Sequence, residues 1–211
     1  MTDAPVVFAK DTAAACVAEL VGGRGREIKS YLYLFIDTFV GGGLVINSHL
    51  HTGKHGNAGA VASLPMGLGG EVHAAEQLVT RASLWELEQR YQALQLDPSA
   101  AYDERALSVP YLVETQAWIA KAANALAHSI VSGTAFLDVD AVVIDGSFSR
   151  AVLDMVIAQT TAALAHYSWE GLWPTSVVAG TTGPDARALG GALLPLHANF
   201  APDQDLFLKV S

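Results

Sequence analysis

The stretch Asp37–Ser63, DTFVGGGLVINSHLHTGKHGNAGAVAS, sets three adjacent glycines before an apolar run and then places glycines three apart at Gly53, Gly56 and Gly59. Just upstream lies SYLYLFID, Ser30–Asp37, rich in aromatic and branched residues. Such residues favour strands and glycine clusters favour tight turns. SYLYLFID and GGLVINSHLH are therefore expected to pair antiparallel, joined by a turn at Gly41, Gly42 and Gly43. Segments of this kind either wrap phosphate and sugar oxygens with backbone N–H groups or serve only as hairpins.

Outward from this stretch the chain alternates in texture. After a short apolar piece at Val6–Phe8, DTAAACVAEL reads as an alanine-rich helix capped by Asp11, broken by GGRGRE. Helical spacing fills EQLVTRASLWELEQRYQALQL and, past a DPSAAYDE loop, YLVETQAWIAKAANALAHSIVSGTAFL. AVVIDG and TSVVAG are short strands, separated by the helix SRAVLDMVIAQTTAALAHY. PDARALGGALLPLHANF closes the pattern as a helix, followed by the apolar tail LFLKV. Two β-runs followed by helix, strand, helix, strand, helix imply an α/β layer sandwich. The chain reads as one domain with a helical insertion at about residues 64–137.

Of the 211 residues, 51% are hydrophobic and 16% charged, which supplies a sizeable core and argues against extensive disorder. A net charge of -9 with scattered Lys and Arg opposes direct nucleic-acid binding by these residues. The single cysteine, Cys16, suits a reducing compartment and supports neither a disulfide nor a cysteine zinc site. No apolar run reaches membrane-spanning length, and MTDAPVV lacks the features of a signal peptide, so a cytoplasmic location and no membrane partner are expected.

Four ordered motifs resemble the ROK family of repressors, uncharacterised open reading frames and sugar kinases. Gly53-Lys-His-Gly56-Asn57-Ala58-Gly59-Ala60-Val61-Ala62-Ser63 looks like the family loop G-x-x-G-x-A-G-E-x-G-H. AKDTAAACVAE resembles its N-D-A-N-A-A-A-x-x-E helix start, AVVIDGSFS its adenosine-side strand and turn, and VVAGTTGPDARALGGALLPL its closing strand and helix. The resemblance implies the actin-like, RNase-H-like ATPase fold, two lobes about a cleft. By that resemblance this chain is expected to correspond to the C-terminal lobe, since neither the D-x-G-G-T phosphate loop of the first lobe nor a helix-turn-helix has a counterpart in these residues.

Departures from the pattern bear on function. The family's sugar-binding glutamate falls on Ala60 and its zinc-ligand histidine on Ser63. LPMGLGGEVHAAEQ replaces the cysteine-rich zinc loop, Lys10 the asparagine before the catalytic aspartate, and Phe39 a glycine of the phosphate turn. Asp145 interrupts the adenosine-side glycine pair and is expected at the cleft face, where phosphate and ribose would approach. Losing a carboxylate that accepts sugar hydroxyls removes bonds worth about 1.5–3 kcal/mol, on the order of tenfold to a hundredfold in affinity. Kinase chemistry is expected to be lost, with no cofactor and no zinc.

By resemblance Asp11 is the base for phosphoryl transfer; the alternatives are a retained ligand contact or helix capping alone. Gly41 and Gly42 are ligand-binding candidates or merely turn residues, and Asn57 and Gly59 either position a ligand's hydroxyls or brace their own loop. His49, His51 and His55 lack an acid or cysteine partner and read as surface or hydrogen-bonded residues rather than metal ligands. Glu76, Glu86 and Glu88 read as solvated helix faces, and Trp85, Trp118, Trp169 and Trp173 as core or interface anchors, with sugar stacking by one of them as the alternative. Taken with the losses, the resemblance is closest to the family's transcriptional regulators, whose kinase-like part senses a sugar or sugar derivative and dimerises. A fragment of a divergent ROK sugar kinase is the alternative. A homodimer is expected; the helices of Trp118 and Leu153 are either candidates for its seam or internal.

Overall fold

A computed structural model describes residues 9–69 and 74–200. The apolar pieces expected at residues 6–8 and 206–210 lie outside them. A five-stranded sheet carries the fold, in the order β3-β2-β1-β4-β5, with β1 Tyr31–Ile36, β2 Gly41–Ile46, β3 His49–His51, β4 Ala141–Gly146 and β5 Ser176–Ala179. β3, β2 and β1 run antiparallel; β1, β4 and β5 run parallel.

Strand alternation sorts the core into two layers. Tyr31, Tyr33 and Phe35 of β1 face α1 (Asp11–Gly22) and α6 (Ala186–Phe200), joining Ala15, Cys16, Leu20 and Ala186. Leu32, Leu34 and Ile36 face the larger layer built by α2 (Val79–Ala82), α3 (Leu84–Ala93), α4 (Leu112–Leu137) and α5 (Arg150–Leu164). Burial pushes the Cys16 thiol well above its usual range, with Glu19 nearby adding to the effect. Cys16 is thus a packing residue rather than a reactive one.

Several local expectations are corrected. Gly41, Gly42 and Gly43 are not the hairpin turn but the start of β2, paired with Phe35, Leu34 and Tyr33. Their smallness serves helix packing: side chains at Gly41 and Gly43 would collide with Thr12 and Cys16 of α1. The turn itself is Asp37–Val40, and a second, tight turn at Asn47 and Ser48, both with positive φ, separates β2 from β3. Asp11 does not cap α1; Lys10 is the boundary residue, and Asp11 Oδ1 accepts from the Thr12 N–H of the first turn. The helix read across residues 76–96 breaks at Ser83, whose extended backbone frees its hydroxyl to accept the Val40 N–H.

Of the two alternatives for Trp118 and Leu153, the internal one holds for both side chains. Trp118 is fully buried, with its indole N–H donated to the Ser83 carbonyl at 3.1 Å and its ring edge-on to Phe148. Glu86 and Glu88 are not solvated either. Glu86 accepts from Arg90 and Lys121, while Glu88 accepts from the Tyr102 hydroxyl. Glu76, more exposed, pairs with Arg81. Among the four tryptophans, Trp85 and Trp173 are exposed and Trp169 is half-buried.

Candidate functional site

A cavity of about 330 Å³ opens where the C-terminal end of β1 and the start of β2 meet the start of α1. Ligand sites of α/β sheets favour this edge. Lys10, Asp11 and Thr12 form one wall, the Asp37–Val40 turn with Gly41 and Gly42 the floor, Ala60, Ala62 and Ser63 the opposite wall, and Arg187 of α6 closes it.

Arg187 organises the charges. One guanidinium nitrogen lies 3.4 Å from Asp11 Oδ2, another pairs with Asp37 Oδ2, and its Cζ sits 5.9 Å from the Phe35 ring centre. Asp37 is only 5% exposed and also accepts from Ser147 Oγ at 3.0 Å and from the Thr38 N–H at 2.7 Å. Asp11 by contrast keeps a 65% exposed side chain facing solvent at the cavity mouth.

The turn is tied down on its far side. Leu84 N–H and Trp85 N–H, at the start of α3, donate to the carbonyls of Asp37 and Thr38 at 2.9 and 3.1 Å, and Val40 N–H donates to Ser83 Oγ at 2.9 Å. Thr38 Oγ1 lies 2.8 Å from the Tyr102 hydroxyl, which donates to Glu88 at 2.5 Å. Burial, together with that bond to Glu88, pushes the Tyr102 hydroxyl up to about 12. Two N–H groups of the turn, those of Thr38 and Val40, are therefore spent inside the protein rather than offered to a ligand.

Asp145 is not at the cleft face. It is completely buried and accepts from Gly146 N–H, Gly183 N–H and Arg150 at 2.9, 2.7 and 3.0 Å. Glu19, equally buried, takes the N–H groups of Arg24, Thr181 and Thr182 and both threonine hydroxyls. These two acids pin the Thr181–Gly183 turn that launches α6 and so set where Arg187 reaches. α6 also lies against α1 at Gly190, where any side chain would strike the Ala14 carbonyl.

Of the sequence-derived candidates, Asp11, Gly41 and Gly42 line the cavity. Asn57 and Gly59 line a neighbouring apolar hollow of about 290 Å³ with Leu32, Val61 and Phe136. Asn57 reaches back to bond the Lys10 ammonium, bridging the rim. Gly59, at φ +72°, backs onto β2 so closely that a Cβ would sit 2.6 Å from the Gly43 carbonyl carbon, which makes it a bracing residue. His49 bonds the Asn47 carbonyl through Nδ1. Among the described residues no group of three or more His, Cys, Asp or Glu is placed to hold a metal, and no helix is long and apolar enough to cross a membrane.

Arg187, Asp37 and Thr38 were not legible as site or brace residues, and Glu19 carried a sign only as the last residue of the helix-start motif AKDTAAACVAE. An acid ending the apolar run YLYLFI was the available sign for Asp37. Arg187 offered none, because its partners lie at least 150 positions away in the chain.

Solved structures share this architecture. A ROK hexokinase from Thermus thermophilus superposes with a TM-score of 0.68 at 23% identity, covering 92% of this chain and 68% of that one. A ROK glucokinase from Streptomyces griseus, in complex with glucose and AMPPNP, gives 0.70 at 20% identity, covering 90% and 68%. A ROK transcriptional regulator homologous to the E. coli MLC protein gives 0.62 at 20% identity, covering 91% and 52%. Identities this low show the shared actin-like ATPase fold. N-acetylmannosamine kinase of Haemophilus influenzae (strain KW20 / Rd) is 35% identical over 60 residues, which is 28% of this chain and 20% of that protein. The ROK family pattern matches residues 1–198, and the chain belongs to the ROK family.

Proposed function

We propose that this chain is the sugar- or sugar-derivative-sensing, dimerising lobe of a ROK transcriptional regulator, with kinase chemistry lost. The observation that carries this is the state of the Asp37–Val40 turn. Phosphoryl transfer is mostly positioning and charge stabilisation of phosphate oxygens. Here the floor of the cavity presents the Asp37 carboxylate, already bound to Arg187 and Ser147, and an exposed Phe39, while two turn N–H groups are bonded internally. An anionic phosphate meets a carboxylate and a ring on this floor, and the two cations that line the cavity are already engaged, Lys10 with Asn57 and Arg187 with Asp11 and Asp37. The wall opposite Asp11 carries Ala60, Ala62 and Ser63, without a carboxylate to grip sugar hydroxyls strongly.

Isothermal titration of the chain with glucose, mannose, N-acetylglucosamine and N-acetylmannosamine, beside a coupled ADP-release assay on the same sugars, tests the proposal. Binding without turnover is the expected result. Turnover above about 0.1 per second, well below common enzyme rates, overturns it in favour of a second reading, a divergent ROK sugar kinase, which the local likeness to N-acetylmannosamine kinase supports. Dimerisation belongs to the same proposal, without Trp118 itself, which is buried. Light scattering at tens of micromolar is expected to give twice the 22.2 kDa chain mass, and a monomer there removes that part.

A further inference from the structure

The cavity contains two phenylalanines in opposite situations. Phe35 is fully buried and its ring lies under the Arg187 guanidinium. Phe39 is 59% exposed on the cavity floor, and among the described residues no ring or cation packs on its face. Its backbone cannot move to tuck the ring away, because the residues on either side, Thr38 and Val40, are hydrogen-bonded to Trp85 and Ser83. A large apolar ring thus faces water in a cavity that the exposed Asp11 carboxylate and the hydroxyl-bearing Thr12 and Ser63 also line.

That set of groups matches a particular ligand chemistry. A pyranose ring has an apolar C–H face and a rim of hydroxyls, and sites for such molecules combine an aromatic surface with a few placed polar groups. The geometry points to Phe39 as the stacking platform for the C–H face of a pyranose, with Asp11 accepting hydroxyl hydrogens from its rim. This rests on the sugar-sensing reading above and adds to it the residue that sets ring orientation. A platform on a clamped turn also loses little freedom on binding, which favours affinity through preorganisation.

Phe39→Ala and Phe39→Trp, titrated with the same four sugars and with adenosine, test the inference. The wild type is expected to bind at least one sugar, Phe39→Ala to bind it about tenfold or more weakly, and Phe39→Trp to stay within about threefold. In Phe39→Trp the new indole is expected to shift its fluorescence to the blue as the sugar covers it. Urea midpoints of both variants should equal that of the wild type, since the ring is exposed in the fold. If Asp11→Ala loses the sugar while Phe39→Ala keeps wild-type affinity, the platform is overturned and the sensing proposal stands. If no sugar binds the wild type, both are overturned. Adenosine binding that depends on Phe39 while the sugars do not bind also overturns the pyranose assignment.

Discussion

Two acid-bearing regions of this chain, barely a helix apart, are built to opposite rules. At the launch of α6, Glu19 and Asp145 are entirely buried and surrounded by N–H groups, hydroxyls and Arg150. At the cavity mouth, Asp11 is exposed, sharing Arg187 at 3.4 Å. A buried carboxylate is tolerated only where donors replace its lost water. An exposed one contributes little to stability and is free to meet a ligand. The first region braces the fold, and the second leaves its carboxylate open to solvent. Asp37 lies between the two: buried like the first pair, yet facing the cavity through Arg187.

The largest expected effect breaks the scaffold. Asp145→Ala leaves the Gly146 and Gly183 N–H groups without their acceptor, while Arg150, half-exposed, keeps the Gly180 carbonyl; each buried donor left unsatisfied costs about 1–3 kcal/mol. Urea unfolding is the check; a loss under about 1 kcal/mol means that water enters and substitutes for the carboxylate. Gly190→Ala should follow, because the new methyl must push α6 off the Ala14 carbonyl. Overpacking of this kind costs about 1–3 kcal/mol. It should also move Arg187, so sugar affinity and stability should fall together in this variant.

Asp11→Ala sharpens the comparison from the other side. Unfolding free energy should change by no more than about 0.5–1 kcal/mol, the worth of an exposed ion pair. Sugar affinity should fall about tenfold to a hundredfold, as a charge-assisted bond worth about 1.5–3 kcal/mol is removed. Equal losses in both measurements would make Asp11 part of the scaffold after all.

The two regions also differ in how far they could be read from the residues alone. Element order was legible because it depends on near neighbours: YLYLFI and AVVIDG read as buried strands, and the spacing from Tyr111 to Leu137 reads as one helix, as observed. The cavity was legible only in part. Asp11, Gly41 and Gly42 could be placed through the motif they resemble, and all three line it. What escaped were pairings across the chain: Ser83 with Val40, Ser147 with Asp37, Glu19 with Thr181. Hydrogen bonds between residues so far apart leave no local spacing to detect. The glycine strand was misread for a related reason: glycine suits a turn locally, whereas here it admits α1 from outside the segment.

The smallest effect lies away from both regions, in the exposed loop before α4, and tests whether surface acids behave as the cavity comparison requires. The Arg105 guanidinium, with the Ser99 hydroxyl and N–H, holds the Asp97 carboxyl down at about 2. Unfolding releases it to the ordinary carboxylate range near 4. Between these values the unfolded chain binds more protons than the folded one, so the Asp97 contribution rises with pH there. It is complete above the unfolded value and disappears as pH falls through about 2. Because the carboxylate is exposed, salt should flatten the slope. Urea titrations of the wild type and Asp97→Asn from about pH 2 to pH 5, at low and high salt, should show the wild-type advantage growing across that window and shrinking with salt. An advantage that persists unchanged at the acid end would assign it to loop geometry, with Asp97 turning the backbone at Ser99, rather than to the charge.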